Sequence, residues 1–134
     1  MWRNDVLLDQ WAYCNKIVKQ GLNAWLDIMF HGTTQVSTWY ILVFEDDYVP
    51  TADDTYQSPG FTECEAYSEA TRPVFNEGAA SNGTINNYDN PAVFSINATK
   101  TIYGAALVSN STKGDNSAGH YMFSAANYGE GKPV

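Results

Sequence analysis

Five carboxylates cluster in one stretch of the chain, at Glu45, Asp46, Asp47, Asp53 and Asp54. Hard cations such as calcium need several oxygen ligands converging at short range, so Asp46, Asp47, Asp53 and Asp54 are the candidate ligands if the chain holds a cation. Their spacing fits no EF-hand loop, and a solvated acidic loop explains them without a metal. No metal and no cofactor is therefore assigned. A second acidic set, Glu63, Glu65 and Glu69, places its first two members on one face if the segment is a strand, and paired acids are the machinery of glycoside hydrolysis. Exposed strand faces also carry Glu for solubility alone, which is the simpler reading.

His31 and His120 are the only histidines available as general bases. Neither stands in a catalytic context, because the chain has no GxSxG elbow, no HExxH helix motif, no GxGxxG and no phosphate-binding loop. His31 follows a helix end, where a histidine caps or faces solvent. No catalytic residue is assigned, and the chain is read as a non-enzyme. Nine tyrosines and four tryptophans would suit glycan stacking, since such rings offer apolar faces with polar rims. Trp25, Trp39, Tyr40, Tyr103 and Tyr121 fall in expected helix or strand, so core packing accounts for them first. The triplets at Asn82, Asn97 and Asn110 match the N-x-Ser/Thr pattern but read as turn chemistry. Cys14 and Cys64 form neither a CxxC pair nor a zinc set. A disulfide between them is not expected, because nothing resembling a secretory leader opens the chain.

The elements that must position these residues are mainly strands. From Asn15 to Phe30, Ile17, Val18, Leu22, Trp25, Leu26 and Met29 recur at three- and four-residue spacing, which predicts an amphipathic helix burying that stripe. Gly21 inside it marks a close packing contact, and Gly32 suits the left-handed residue that ends it. Ser37 to Phe44, STWYILVF, is β-branched and aromatic without polar alternation and reads as the central strand of the core. Glu45 to Gly60 reads as a long surface loop. Phe61 to Tyr67 alternates with a period of two, Thr62, Cys64 and Ala66 facing inward. Asn76 to Asn90 suits turns and a short irregular strand. Pro91 to Asn97 and Thr101 to Ser109 read as a hairpin, and Tyr121 to Ala126 as a further strand.

A length of 134 residues suits one core. The expected fold is mainly β, a β-sandwich or jelly-roll-like domain over 15–134 with one leading helix, preceded by residues 1–14 as an arm or helix extension. A net charge of −8 with seven scattered Lys and Arg lacks the basic stripe that phosphate neutralisation requires. Nucleic acid and anionic membrane surfaces are thus not expected partners. No apolar run approaches the roughly 20 residues that span a bilayer.

The strings GLNAWLD, STWY, PTADDT, GFTECEAYSEATRP, PAVFSINAT and TIYGAALVSNSTKG, running in this order from about Asn15 almost to the end, together resemble a family of small tailed-phage virion structural proteins. The resemblance implies a component of the virion, assembled in the cytoplasm of a bacterial host. Members of that family continue beyond the equivalent of Lys132-Pro133-Val134 into a Gly-Asp turn and a last alternating strand. Either the sequence is truncated there or an open sheet edge is left near Val134, which a neighbouring subunit could cover by adding a strand. The expected role is a capsid decoration, or cement, protein whose partners are the major capsid protein and further copies of itself. The expected contact residues are Trp2, Val6, Leu7, Leu8 and Trp11, too apolar for a free arm. The alternative is a tail or head-fibre component binding a receptor or glycan through Tyr48, Tyr56 and Tyr88.

Overall fold

The structure, a computed structural model, describes residues 15–133 and two short strands ahead of them, with side chains described for 15–129. Those leading strands, β1 (Trp2–Arg3) and β2 (Val6–Leu7), pair antiparallel, Trp2 opposite Leu7. The main body is a four-stranded antiparallel sheet in the order β3-β6-β5-β4, formed by β3 (Lys16–Ile17), β4 (Tyr40–Phe44), β5 (Thr101–Val108) and β6 (Met122–Pro133). One helix, α1 (Lys19–Phe30), accompanies it. The protein is thus mostly strand-based.

The helix begins four residues later than its periodicity suggests. Lys16 and Ile17 are taken by strand pairing with Ala125 and Ser124, and the extended Val18 donates its N–H to the Phe123 carbonyl at 3.1 Å. No side chain caps the helix start. The Ala52 carbonyl of the crossing loop instead accepts from the Lys19 N–H at 2.8 Å, satisfying one of the donors that a helix start leaves free. At the other end Gly32 has φ +71°, as expected of a left-handed stop.

The face that α1 buries differs from the one its apolar stripe predicts. Gly21 and Ala24 are its buried residues, whereas Leu22, Trp25, Leu26 and Met29 are exposed. A Cβ on Gly21 would lie 2.3 Å from the Phe123 carbonyl oxygen, so helix and β6 backbone touch where only small residues fit. That close approach rotates the large side chains outward.

Ser37 to Phe44 contributes only Tyr40–Phe44 to the sheet, and at its end rather than its centre. The far side of β4 meets a broken strand. Cys64 N–H donates to the Val43 carbonyl, and Ile41 N–H to that of Pro73, both within 2.9 Å, so residues between them loop away from the edge. Burial over that first stretch falls on Phe61, Cys64 and Tyr67, a spacing of three, not the alternation expected. Pro91 to Asn97 forms no hairpin with β5, because Ile96 bridges Tyr67. The true hairpin is β5–β6, with Gly104 opposite Asn127 and a register shift beside it. Pro133 pairs with Thr101, while Val134 lies outside the described residues.

The loop after β4 is more than a surface excursion. It carries Tyr48, Tyr56 and Phe61 across the sheet face formed by Leu42, Phe44, Ala106, Val108 and Met122, and Phe61 stacks on Phe44 with centroids 4.3 Å apart. This is the main core. A smaller cluster of Val43, Cys64 and Ile102, with Phe94 and Tyr128 against it, covers part of the opposite face.

Candidate functional site

Arg72 is the feature that inspection of the sequence missed. It lies in the segment that loops off the β4 edge, only 1% exposed, and its backbone N–H donates to the Ser111 carbonyl at 2.8 Å. Its guanidinium meets Glu63 as a fork, Nε to Oε1 at 2.8 Å and Nη2 to Oε2 at 2.6 Å. Nη1 donates to the Tyr56 hydroxyl at 2.8 Å and the Asn110 carbonyl at 3.0 Å, and Nη2 to the Asp115 carbonyl at 3.0 Å. A guanidinium has five N–H donors. All five are used.

The Tyr56 hydroxyl passes the chain of donors on to Asp115 Oδ2 at 2.9 Å, where Asn110 Nδ2 and Ser117 Oγ also donate. These bonds, that of Ser117 foremost, hold the Asp115 carboxyl down at about 2. Burial pushes the Tyr56 hydroxyl up against the opposing pull of Arg72. Burial also opposes the charge on Arg72, but the bonds from Glu63 and Tyr56 outweigh it and keep the guanidinium protonated. Beside this junction lies a cavity of about 230 Å³, bounded by Glu63, Arg72, Asp115 and Asn116 over Leu42 and Val108.

With both Glu63 oxygens and the inner Asp115 oxygen engaged, the arrangement locks three segments together: the crossing loop through Tyr56, the broken strand through Glu63, and the β5–β6 loop through Asn110 and Asp115. Glu65 does not pair with Glu63. It is exposed, its carboxylate lying against Gly114. Glu69 is bound by Ser95, whose Oγ donates at 2.6 Å and draws the carboxyl below its usual range.

The four candidate cation ligands are likewise used one by one. Asp46 accepts from the Thr62 N–H at 2.8 Å and Asp47 from Asn127 Nδ2 at 3.1 Å, while Asp53 pairs with Lys19. The buried Asp54 accepts from the Tyr48 hydroxyl and the Thr51 N–H, each at 2.8 Å. Among the described residues no group of three His, Cys, Asp or Glu side chains could hold a metal ion. The acids instead pin the loop to the helix, the sheet and itself.

His31 is the exposed C-cap of α1, its N–H bonded to the Asp27 carbonyl. His120 lies edge-on to the Tyr56 ring at 5.5 Å, far from His31 in the sequence and on the β5–β6 loop. Cys64 is a buried free thiol, pushed up by burial. Of the three tyrosines considered for glycan stacking, Tyr48 and Tyr56 are tied into the core by their hydroxyls, and Tyr88 alone stands free at 86% exposure. Trp2 belongs to β1 and Val6 and Leu7 to β2, whereas Leu8 and Trp11 lie outside the described residues.

α1 carries a group of exposed apolar side chains. Trp25 is 51% exposed, Met29 60% and Phe30 81%, with Leu22 and Leu26 beside them. Three- and four-residue spacing sets Leu22, Trp25, Leu26 and Met29 along one flank. Gln20, Asn23 and Asp27 line the other, facing Tyr121 and Thr34. Among the described side chains this strip is an apolar surface open to solvent. Searches against protein-family models, curated proteins and solved structures find no match to this chain.

Proposed function

We propose that this protein is a structural component of a phage particle, a decoration protein that stabilises the head by bridging capsid subunits. The observation that carries this reading is the apolar flank of α1, five large side chains held outward on an otherwise acidic body. Such a surface gains from burial against another subunit, at about 25 cal/mol for each Å² of apolar area covered. The sequence resemblance to tailed-phage structural proteins supplies the kind of assembly. Repeated docking around a symmetric shell lets modest contacts add up through avidity. The N-terminal segment bearing Trp2, Val6, Leu7, Leu8 and Trp11 would serve as a second contact, strapping onto the major capsid protein.

A sandwich-like architecture forms part of the same proposal. The sheet would be one layer, and the bridged segments around Tyr67 and Ile96, packed over Val43 and Ile102, the beginning of another. The fibre reading rests on Tyr88, exposed in the turn closed by the Asn90 N–H and the Asn87 carbonyl, and a glycan array showing saturable binding lost in Y88A would favour it.

The cement role is tested on particles. Heads lacking the chain should release their genome at a lower temperature, and added purified protein should restore the threshold. Heads that neither bind the protein nor gain stability from it would contradict the proposal.

A further inference from the structure

We propose that the apolar flank of α1 is a two-fold interface with a second copy of this chain, the two helices packing antiparallel. This rests on reading the flank as a docking surface but not on where the protein sits in a particle.

The first support is register. Antiparallel pairing of two identical helices matches a stripe only if it reads the same from both ends. The flank does so: with Leu22 opposite Met29 of the second copy, Trp25 falls opposite Leu26, and each pair occurs twice about the axis. A two-fold interface requires such self-complementarity, and side chains at this spacing can interdigitate between helices.

The second support is charge. Two bodies of −8 each repel, so they meet most readily where neither presents a carboxylate. Asp27 is the only acid on α1, and it stands on the opposite flank with Gln20 and Asn23. Lys19 at the helix start is occupied by Asp53.

The third is area. Leu22, Trp25, Leu26, Met29 and Phe30, exposed by two fifths or more, offer on the order of 500 Å² of apolar surface per copy. Two copies would bury at most on the order of 1,000 Å² together, in the range of weak, transient association. A micromolar dimer fits that size better than an obligate one.

Light scattering on the full chain across micromolar concentrations tests this, using L22K and M29E, which alter exposed side chains and should leave the circular dichroism unchanged. The wild type should be dimeric and each variant monomeric, at least tenfold weaker in self-association. Mixed in equal amounts, the two variants should form a heterodimer, since antiparallel register sets the new lysine against the new glutamate. A monomeric mixture would overturn the register and with it the proposal. Dimeric single variants would also overturn it, by placing the interface elsewhere. A monomeric wild type would overturn it too, and oxidative footprinting of Met29 would then separate cover by the chain's own N-terminal segment, which protects it, from an open site awaiting another protein. None of these results would decide whether the protein binds capsids, which the head-stability experiment reads independently.

Discussion

At the residue scale, the fold turns on a buried cation that few neighbours would lead one to expect. Removing one member of a buried ion pair strands the other, at a cost of about 3–5 kcal/mol. R72A should therefore lower the urea unfolding free energy by about that amount, and R72K should recover little, because an ammonium cannot reproduce the two-pronged contact with Glu63. Tyr67 is the converse case. Its ring is 2% exposed, packed edge-on to Phe94 at 5.1 Å, yet its hydroxyl has no hydrogen-bond partner among the described residues. Y67F deletes a buried polar atom without stranding another, so stability should be unchanged or rise by about 1 kcal/mol in the same assay. Asp115 adds a pH dependence. Its carboxyl titrates at about 2 folded against 3.8 ordinarily, so the unfolded chain takes up the proton first. The stability it contributes is whole above about pH 4 and is lost as pH falls toward 2. D115N should flatten that acid limb of the urea midpoint against pH. Arg72 was not legible in the sequence because its value lies in four partners, at Tyr56, Glu63, Asn110 and Asp115, that only the fold assembles.

At the element scale, the helix was legible and its orientation was not. Periodicity marks which residues share a side, and Gly32 marks the stop. It does not say whether that side meets the protein's own core or another molecule. Gly21 held the missing information, since its lack of a side chain is what allows the helix to touch β6. G21A should cost about 1–3 kcal/mol in thermal or urea unfolding, as overpacking against rigid backbone does, although alanine is the better helix former. The strand segments show a related limit. Thr101–Val108 follows its apolar pattern, with every second residue buried, because it has a partner strand on each side. Phe61 to Tyr67 alternates in the sequence too, but it pairs with β4 for only part of its length and then turns away to meet Ile96, so its burial follows a spacing of three. The turn at Ser81–Thr84 was legible for a local reason. Asn82 and Gly83 both take positive φ, as a two-residue hairpin demands.

At the scale of the whole molecule, the acidic residues that invited a metal reading serve as fasteners, and the apolar residues that invited a core reading form a surface. Both inversions have one physical origin. Carboxylates distributed singly can each find an N–H or hydroxyl, whereas a cation needs them converged. Large side chains on a helix whose contact face is glycine and alanine are left pointing away from the sheet. The mostly-β character was legible from the β-branched and aromatic strings, while the layering was not, because it depends on which irregular segment crosses which face. A particle reconstruction that locates this chain tests the central claim most directly. The expected result is density for the four-stranded sheet on the outside of the shell, with Trp25 and Met29 buried against a neighbouring chain. Density inside the tail lumen, or on the shell with that helix flank bare to solvent, would contradict it.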